Sequence, residues 1–212
     1  MNRKTIGYYN YTVVLTYLGM VSACIAIFLA IEGNPFLSIW FMLFSGLCDM
    51  FDGTVASTKK DRDEDQKKFG IQIDSLCDLV GFGLAPGIFV YTVSSNKIAG
   101  GFAAVIVSLA AVIRLAYFNV QEEHRQKEET GCRKSYLGLP VTTIVLTLPL
   151  AYVLLKLFGA DGDSMQYYYQ AVAILVGIGF ITPVQIRKPQ RIGKIILLIF
   201  GLAEIGAMLL FK

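Results

Sequence analysis

The chain has 212 residues, of which 55% are apolar and 17% charged, and its formal net charge is +3 at pH 7. A mean hydropathy of +0.57 indicates an integral membrane protein and excludes an ordinary water-soluble one. The small positive net charge comes from basic residues in the loops between apolar segments, so it does not indicate a nucleic-acid-binding protein. The four cysteines are scattered without a C-x-x-C pair, which disfavours a disulfide framework or a zinc site.

Seven apolar segments follow one another along the chain, and most approach the ~20 residues that a helix needs to cross a bilayer. They cover residues 11–31, 36–56, 70–93, 98–120, 139–158, 167–183 and 195–211. No repeat or change of composition divides them. We therefore expect an all-α polytopic membrane protein, with one domain over residues 1–212 built as a bundle of six to seven transmembrane helices.

Most of the 19 Lys and Arg residues lie at the N-terminus and in every second loop. By the positive-inside rule, the N-terminus and these loops are cytoplasmic. The same loops are expected to attract anionic headgroups of membrane lipids. This pattern predicts a multi-pass protein of the cell membrane.

Four aspartates lie where two apolar segments meet a basic loop. Asp49 and Asp52 end the second segment, and Asp74 and Asp78 begin the third. The spacings i,i+3 and i,i+4 put each pair on one face of a helix. Four carboxylates at one depth would repel one another unless they surround cations. Carboxylate oxygens suit hard ions, so we expect Mg²⁺ or Mn²⁺, with two ions able to clamp a phosphoryl displacement. The site is then expected to face the cytoplasm.

Small residues accompany the aspartates. Gly53 and Ala56 share the helical face of Asp49 and Asp52, and Gly70 lies one turn before Asp74. Small side chains would let a nucleotide or a pyrophosphate approach the backbone. Close packing of two helices is the alternative explanation for these glycines.

Intramembrane acids also build ion pathways, so a cation or proton transporter is a second hypothesis. Such a pathway needs acids in several segments. Glu204 is the only other acid well inside a segment, which disfavours this hypothesis.

The stretch from Asp49 to Asp78 reads D-x2-D-G-x2-A-S-x12-G-x3-D-x3-D. It resembles the signature of the CDP-alcohol phosphatidyltransferases, D-x2-D-G-x2-A-R-x8-G-x3-D-x3-D. Further stretches at 69–86, 114–120 and 136–140 resemble the serine-specific branch of that family. The resemblance implies transfer of a phosphatidyl group from CDP-diacylglycerol to L-serine, with release of CMP, by a homodimer.

The resemblance also implies the functions of individual residues. Asp49, Asp52, Asp74 and Asp78 would hold the metal ions, and Asp78 would accept the proton of the serine hydroxyl. The donor nucleotide would lie against Asp52, Gly53, Ala56, Gly70 and Thr16.

Arg114 and Asn119 are the expected acceptor-binding residues. A guanidinium in an apolar helix needs an anionic partner, and a serine carboxylate or a lipid phosphate would serve. The alternatives are that Arg114 neutralises the aspartates and that Asn119 ends its helix.

Two positions depart from the pattern. Ser57 replaces the arginine of the signature, which commonly serves the donor's phosphates, and we hypothesise that Lys59, Lys60 or Arg62 replaces it. Tyr117 replaces a second arginine of the serine-specific branch. A sister transferase that uses glycerol 3-phosphate or inositol phosphate, and an inactive family member, therefore stay open as alternatives.

Overall fold

The computed structural model describes residues 6–128, 135–159, 162–187 and 191–210. Within these ranges the chain forms helices and one short strand pair. The helices are α1 (Val14–Ile31), α2 (Pro35–Ala56), α3 (Glu64–Asp78), α4 (Ala85–Val93), α5 (Lys97–Glu128), α6 (Ile144–Leu157), α7 (Gly162–Ile181) and α8 (Arg191–Leu210). The strands β1 (Ser135–Leu137) and β2 (Gln185–Arg187) pair antiparallel, with Tyr136 opposite Ile186.

Five helical stretches are long and apolar enough to cross a membrane, and Val141–Leu157 is a shorter apolar helix. The five are Tyr11–Ile31, Pro35–Ala56, Glu64–Val93, Lys97–Arg125 and Ile192–Leu210. The prediction of an all-α polytopic membrane protein is therefore confirmed.

Two helices extend beyond the predicted segments. The third segment was expected from residue 70, but its helix begins at Glu64, because the side chain of Asp63 accepts a hydrogen bond from Gln66 N at 2.7 Å and caps it. The helix containing Asn119 continues to Glu128, so Asn119 does not end it. Hydropathy marks where apolar residues stop, and a helix can continue beyond that point as a polar one.

Small residues let the helices pack closely. Ala23 and Ala26 of α1 are fully buried, and hydroxyls join α1 to α2: Ser22 Oγ donates to Phe41 O and Ser38 Oγ donates to Ala26 O. Interfaces between membrane helices commonly use such small residues and short hydrogen bonds.

A π-helical turn, Leu79–Leu84, joins α3 to α4 without a break. It lies directly after Asp78 and contains two glycines that meet close neighbours. A Cβ on Gly81 would lie 3.0 Å from Ser45 Oγ, and one on Gly83 would lie 3.0 Å from Ala111 Cβ. The wider turn therefore fits against α2 and α5 and holds the end of α3 in place.

The turn before α6 depends on a left-handed glycine. Gly138 has φ +84°, and a Cβ there would lie 2.6 Å from Phe180 O and 3.3 Å from Arg114 Nε. Its N–H donates to Val184 O at 2.8 Å, and Leu139 N donates to Gly179 O at 3.0 Å. Only glycine fits this close approach of the turn to α5 and α7.

Candidate active site and metal centre

The four aspartates, called the acid cluster below, come together where α2 ends and α3 runs beside it. Oxygen atoms of Asp49, Asp74 and Asp78 all lie within 4.8 Å of one another. Asp52 is only 8% exposed, accepts a hydrogen bond from Thr16 Oγ1 at 3.2 Å and lines the same cleft as Asp49 and Asp78. The helical spacing of each pair therefore does bring four carboxyl groups to one place.

This arrangement fits a hard divalent cation. The three oxygens within 4.8 Å of one another are all carboxylate oxygens, the ligand type that Mg²⁺ and Mn²⁺ prefer. Carboxylates this close together favour a cation, because like charges repel one another. The acid cluster could hold a metal ion in this way.

A small open cleft, with a cavity volume of about 10 Å³, lies beside the acid cluster, between α1, α2, α3 and the π-helical turn. Its lining residues are Leu15, Thr16, Gly19, Met20, Ser45, Asp49, Asp52, Cys77, Asp78 and Phe82. One side of the cleft is thus carboxylate and the other is small or apolar. Such a surface suits a ligand that carries both a metal-binding phosphate and an apolar part.

The glycines of the signature face space rather than a packed helix. A Cβ on Gly53 would meet no atom within 4 Å, and one on Gly70 would meet only Arg62 Nη1, at 3.8 Å. Close helix packing therefore does not explain either glycine. At Gly53 there is room for a ligand against the backbone of α2, and half-buried Ala56 lies one turn further along.

The three basic candidates of the loop after α2 differ in their surroundings. Lys59 forms an ion pair with Asp61 at 2.9 Å, and the hydrogen bond from Lys59 lowers the pKa of the Asp61 carboxyl. Lys60 is exposed. Arg62 lies over Gly70, and its Nε is buried without a hydrogen-bond partner among the described residues. Arg62 is therefore the best placed of the three to meet an anion.

Ser57 is exposed and is not among the residues that line the cleft. It follows the last residue of α2, and its Oγ donates to Thr54 O at 2.7 Å, one turn back in its own helix. This position therefore supplies no charge to the site.

The two acceptor candidates lie in different surroundings. Asn119 Oδ1 accepts a hydrogen bond from Ser75 Oγ at 2.8 Å, which puts Asn119 beside the residue that follows Asp74. Arg114 is only 6% exposed, and its guanidinium carbon lies 5.6 Å from the ring centre of Phe118. Arg114 also packs against the Gly138 turn. On α5, Asn119 therefore lies beside α3, whereas Arg114 lies beside the turn that precedes α6.

Sequence reasoning missed Lys194, which approaches α2 from α8. Lys194 Nζ donates to Met50 O at 2.6 Å and lies 3.4 Å from Thr54 Oγ1. In the sequence, this lysine reads as one more topology-setting charge at the start of a span. Since 144 positions separate the bonded residues, no local pattern could have placed it here.

Comparisons with known proteins agree with a phosphate-transfer site at the acid cluster. Residues 9–182 match the family model described as CDP-alcohol phosphatidyltransferase. The chain is 28% identical over 180 residues to archaetidylserine synthase of Methanothermobacter thermautotrophicus, covering 84% of this chain and 70% of the relative. It is 27% identical over 177 residues to CDP-diacylglycerol–serine O-phosphatidyltransferase of Helicobacter pylori, covering 82% and 68%. The enzyme of the same name from Methanocaldococcus jannaschii is 28% identical over 202 residues, covering 95% and 83%.

Proposed function

Because this chain belongs to the CDP-alcohol phosphatidyltransferase family, we propose that it transfers a phosphatidyl group from CDP-diacylglycerol to L-serine, giving phosphatidylserine and CMP. The acid cluster carries the proposal: three of its four carboxyl groups place oxygens within 4.8 Å of one another beside an open cleft. The names of the relatives supply the acceptor, since two of the three described above are serine transferases and the third is an archaetidylserine synthase.

The donor side of the site is assigned to α1, α2 and α3. The nucleotide and pyrophosphate would lie against the open backbone at Gly53, with Asp52, held by Thr16, at their side. Ala56 and Gly70 would flank this position, and Arg62 would reach a phosphate over Gly70.

Asp49, Asp52, Asp74 and Asp78 would hold the metal, with two Mg²⁺ or Mn²⁺ ions expected. When bound, these ions supply positive charge to the attacking and leaving oxygens of a phosphoryl displacement. The four aspartates would hold the ions, and the residues around the cleft would bring the reacting oxygens into line.

Asp78 is the proposed general base. Its carboxylate lines the cleft at the end of α3 and would accept the proton of the serine hydroxyl. The serine oxygen then bonds to the phosphorus that carries diacylglycerol, the bond from that phosphorus to the CMP oxygen breaks, and CMP leaves with the electron pair.

Arg114 and Asn119 are the proposed acceptor contacts. A buried guanidinium can bind a carboxylate through two parallel hydrogen bonds, which would orient serine. The alternative is that Arg114 only anchors the Gly138 turn. Arg114→Lys separates the two: loss of bidentate binding raises the KM for serine, whereas loss of an anchor lowers thermal stability and leaves the KM for serine unchanged.

We place the protein in the cell membrane with the acid cluster facing the cytoplasm, since the loops at this end carry the basic residues. Donor and product are then reached from the lipid bilayer and serine from the aqueous side. A homodimer is proposed from the family resemblance.

One assay tests the function. Purified protein in mixed micelles is given CDP-diacylglycerol with serine, glycerol 3-phosphate or inositol phosphate, with Mg²⁺, Mn²⁺ or EDTA, and CMP is measured. We expect CMP release that requires both serine and a divalent ion. Release with another alcohol alone would establish a sister transferase, and ion flux in proteoliposomes without CMP release would establish a transporter.

The base assignment has its own test. Asp78→Asn keeps the size of the side chain but cannot accept the proton, so we expect serine-dependent CMP release to fall by about a hundredfold or more. Full divalent-ion-dependent turnover in Asp78→Asn would contradict the assignment.

A further inference from the structure

Lys194 is a half-buried cation whose hydrogen bonds within the described part of the chain go to neutral oxygens. Its Nζ donates to Met50 O at 2.6 Å and lies 3.4 Å from Thr54 Oγ1. The ion pairs found within the described ranges are Lys59–Asp61 and Arg125–Glu122, and neither includes it. A partly buried ammonium group usually has an anionic partner, because leaving water is costly for a charge.

Capping of a helix does not explain this contact. Only the last four carbonyls of a helix lack an internal partner, and Met50 lies six residues before the end of α2 at Ala56. Lys97 provides the contrast, since its Nζ donates to Tyr91 O at 3.2 Å and Thr92 O at 3.0 Å, among the last carbonyls of α4. Lys97 therefore caps a helix end, and Lys194 does not.

The position of Lys194 on α2 points toward the donor site. Met50, Thr54 and Ser57 are spaced i, i+4 and i+7, so they form one stripe along α2. Gly53, with open space in front of it, is adjacent to this stripe.

Building on the proposed function, we propose that Lys194 binds a phosphate oxygen of the CDP-diacylglycerol donor and makes α8 part of the donor site. Its four-carbon chain can move the ammonium group from the neutral Met50 carbonyl to an anion over Gly53. The stripe that Lys194 contacts ends at Ser57, which is uncharged. Lys194 therefore brings a positive charge from α8 to a stripe of α2 whose last residue carries none. Lys194 lies beyond residues 9–182, the part that matches the family model.

Three variants and one control test this proposal by the Kd for CDP-diacylglycerol, measured with Mg²⁺ and without any alcohol. Lys194→Gln keeps a hydrogen-bond donor for Met50 O but removes the charge, so we expect the Kd to rise about tenfold, the loss of one hydrogen bond between charged groups. Lys194→Arg should stay within about threefold of the unmodified protein, because it keeps the charge. Lys97→Gln removes the capping lysine and should leave the Kd unchanged.

A double variant makes the test specific. Ser57→Arg places a guanidinium at the end of the same stripe, so Ser57→Arg with Lys194→Gln should recover most of the lost affinity. The KM for serine should change less than twofold in every variant. Thermal melting confirms that each variant is folded, and the comparison of Lys194→Arg with Lys194→Gln stays decisive if a larger truncation does not fold.

Three results would overturn the proposal: an unchanged Kd in Lys194→Gln, an equal loss in Lys194→Arg, or a KM for serine that rises as much as the donor Kd. Because donor binding is read without an acceptor, the outcome is separate from that of the proposed function. Normal serine turnover with an unchanged Kd in Lys194→Gln rejects this inference alone. Donor binding that depends on Lys194, with no CMP release from serine, rejects the acceptor and keeps the inference.

Discussion

The long helical run from Glu64 to Val93 has two polar regions, one at the acid cluster around Asp74 and Asp78 and one just beyond Val93, and their polar groups are paired differently. At the end beyond Val93, Gln166 Oε1 accepts from Ser95 N at 2.6 Å, Gln170 Nε2 donates to Ser94 Oγ at 2.9 Å, and Ser94 Oγ donates to Val90 O at 2.6 Å. In the region of the acid cluster, carboxyl groups crowd together, Arg62 Nε is buried without a partner among the described residues, and Lys194 donates its hydrogen bond to a neutral carbonyl oxygen.

The difference separates architecture from function. Buried polar groups that serve only the fold are satisfied within the protein, because an unmade hydrogen bond in a buried place is costly. Carboxylates that crowd together beside an open cleft, and cations that bond there only to neutral oxygens, are instead candidates to bind a ligand of opposite charge. The glutamine–serine contacts join the end of α4 to α7, whereas the acid cluster, with Arg62 and Lys194, is the proposed site for metal ions and phosphates.

The largest expected effect breaks the acid cluster. Asp74→Asn should reduce serine-dependent CMP release by about a hundredfold to a thousandfold, since it removes a charge directed at the reacting groups. Melting in EDTA should be unchanged or higher, because one of four repelling charges is gone. The melting temperature should also rise less on addition of Mg²⁺ than in the unmodified protein. If Asp74→Asn instead lowered the melting temperature in EDTA clearly, the lost activity would follow from lost structure, and Asp74 would be a structural residue.

A matched pair of glycines sharpens the comparison. Gly53→Ala meets no atom within 4 Å, so it should retain stability or gain up to about 1 kcal/mol from helix propensity, while the KM for CDP-diacylglycerol rises. Gly100→Ala, in the region beyond Val93, would put a Cβ 2.6 Å from the Cβ and Oγ of Ser94. It should cost about 1–3 kcal/mol of stability and leave both KM values unchanged. Thermal melting and the CMP assay on the two variants measure these effects. A stability loss in Gly53→Ala together with a raised KM in Gly100→Ala would contradict the contrast between the two regions.

The smallest expected effect concerns the exposed Lys59–Asp61 pair. The hydrogen bond from Lys59 lowers the pKa of Asp61, so its contribution to stability is present above the ordinary aspartate pKa and is lost as the pH falls through the lowered one. Asp61→Asn should therefore lower the melting temperature only slightly at neutral pH, with the difference disappearing in acid. Activity should be unchanged, and a clear loss of donor affinity would show that the pair positions the loop over the site.

The sequence alone supported the fold class and the acid cluster. Apolar segments of membrane-spanning length predict helices directly, because a bilayer leaves backbone groups no partner except those of their own helix. Asp49 with Asp52, and Asp74 with Asp78, are three or four residues apart, so helix geometry alone puts each pair on one face. Thr16, assigned to the donor site from the resemblance, donates a hydrogen bond to Asp52, and its role in donor binding stays a prediction. The functions of these residues, and of Arg114 and Asn119, stay predictions.

Only the tertiary structure decided how charges from distant segments are placed. It separated Lys59, bound to Asp61, from Arg62, which lies over Gly70. It joined Asn119 to Ser75 across 44 positions and Lys194 to Met50 across 144. Contacts between residues that far apart leave no periodic trace in the sequence, because they depend on how whole helices pack rather than on the repeat of any one of them. The grouping of the acids could therefore be predicted from helical spacing. The positions of the cations that would complete the site depend on tertiary packing, such as that of α8 against α2.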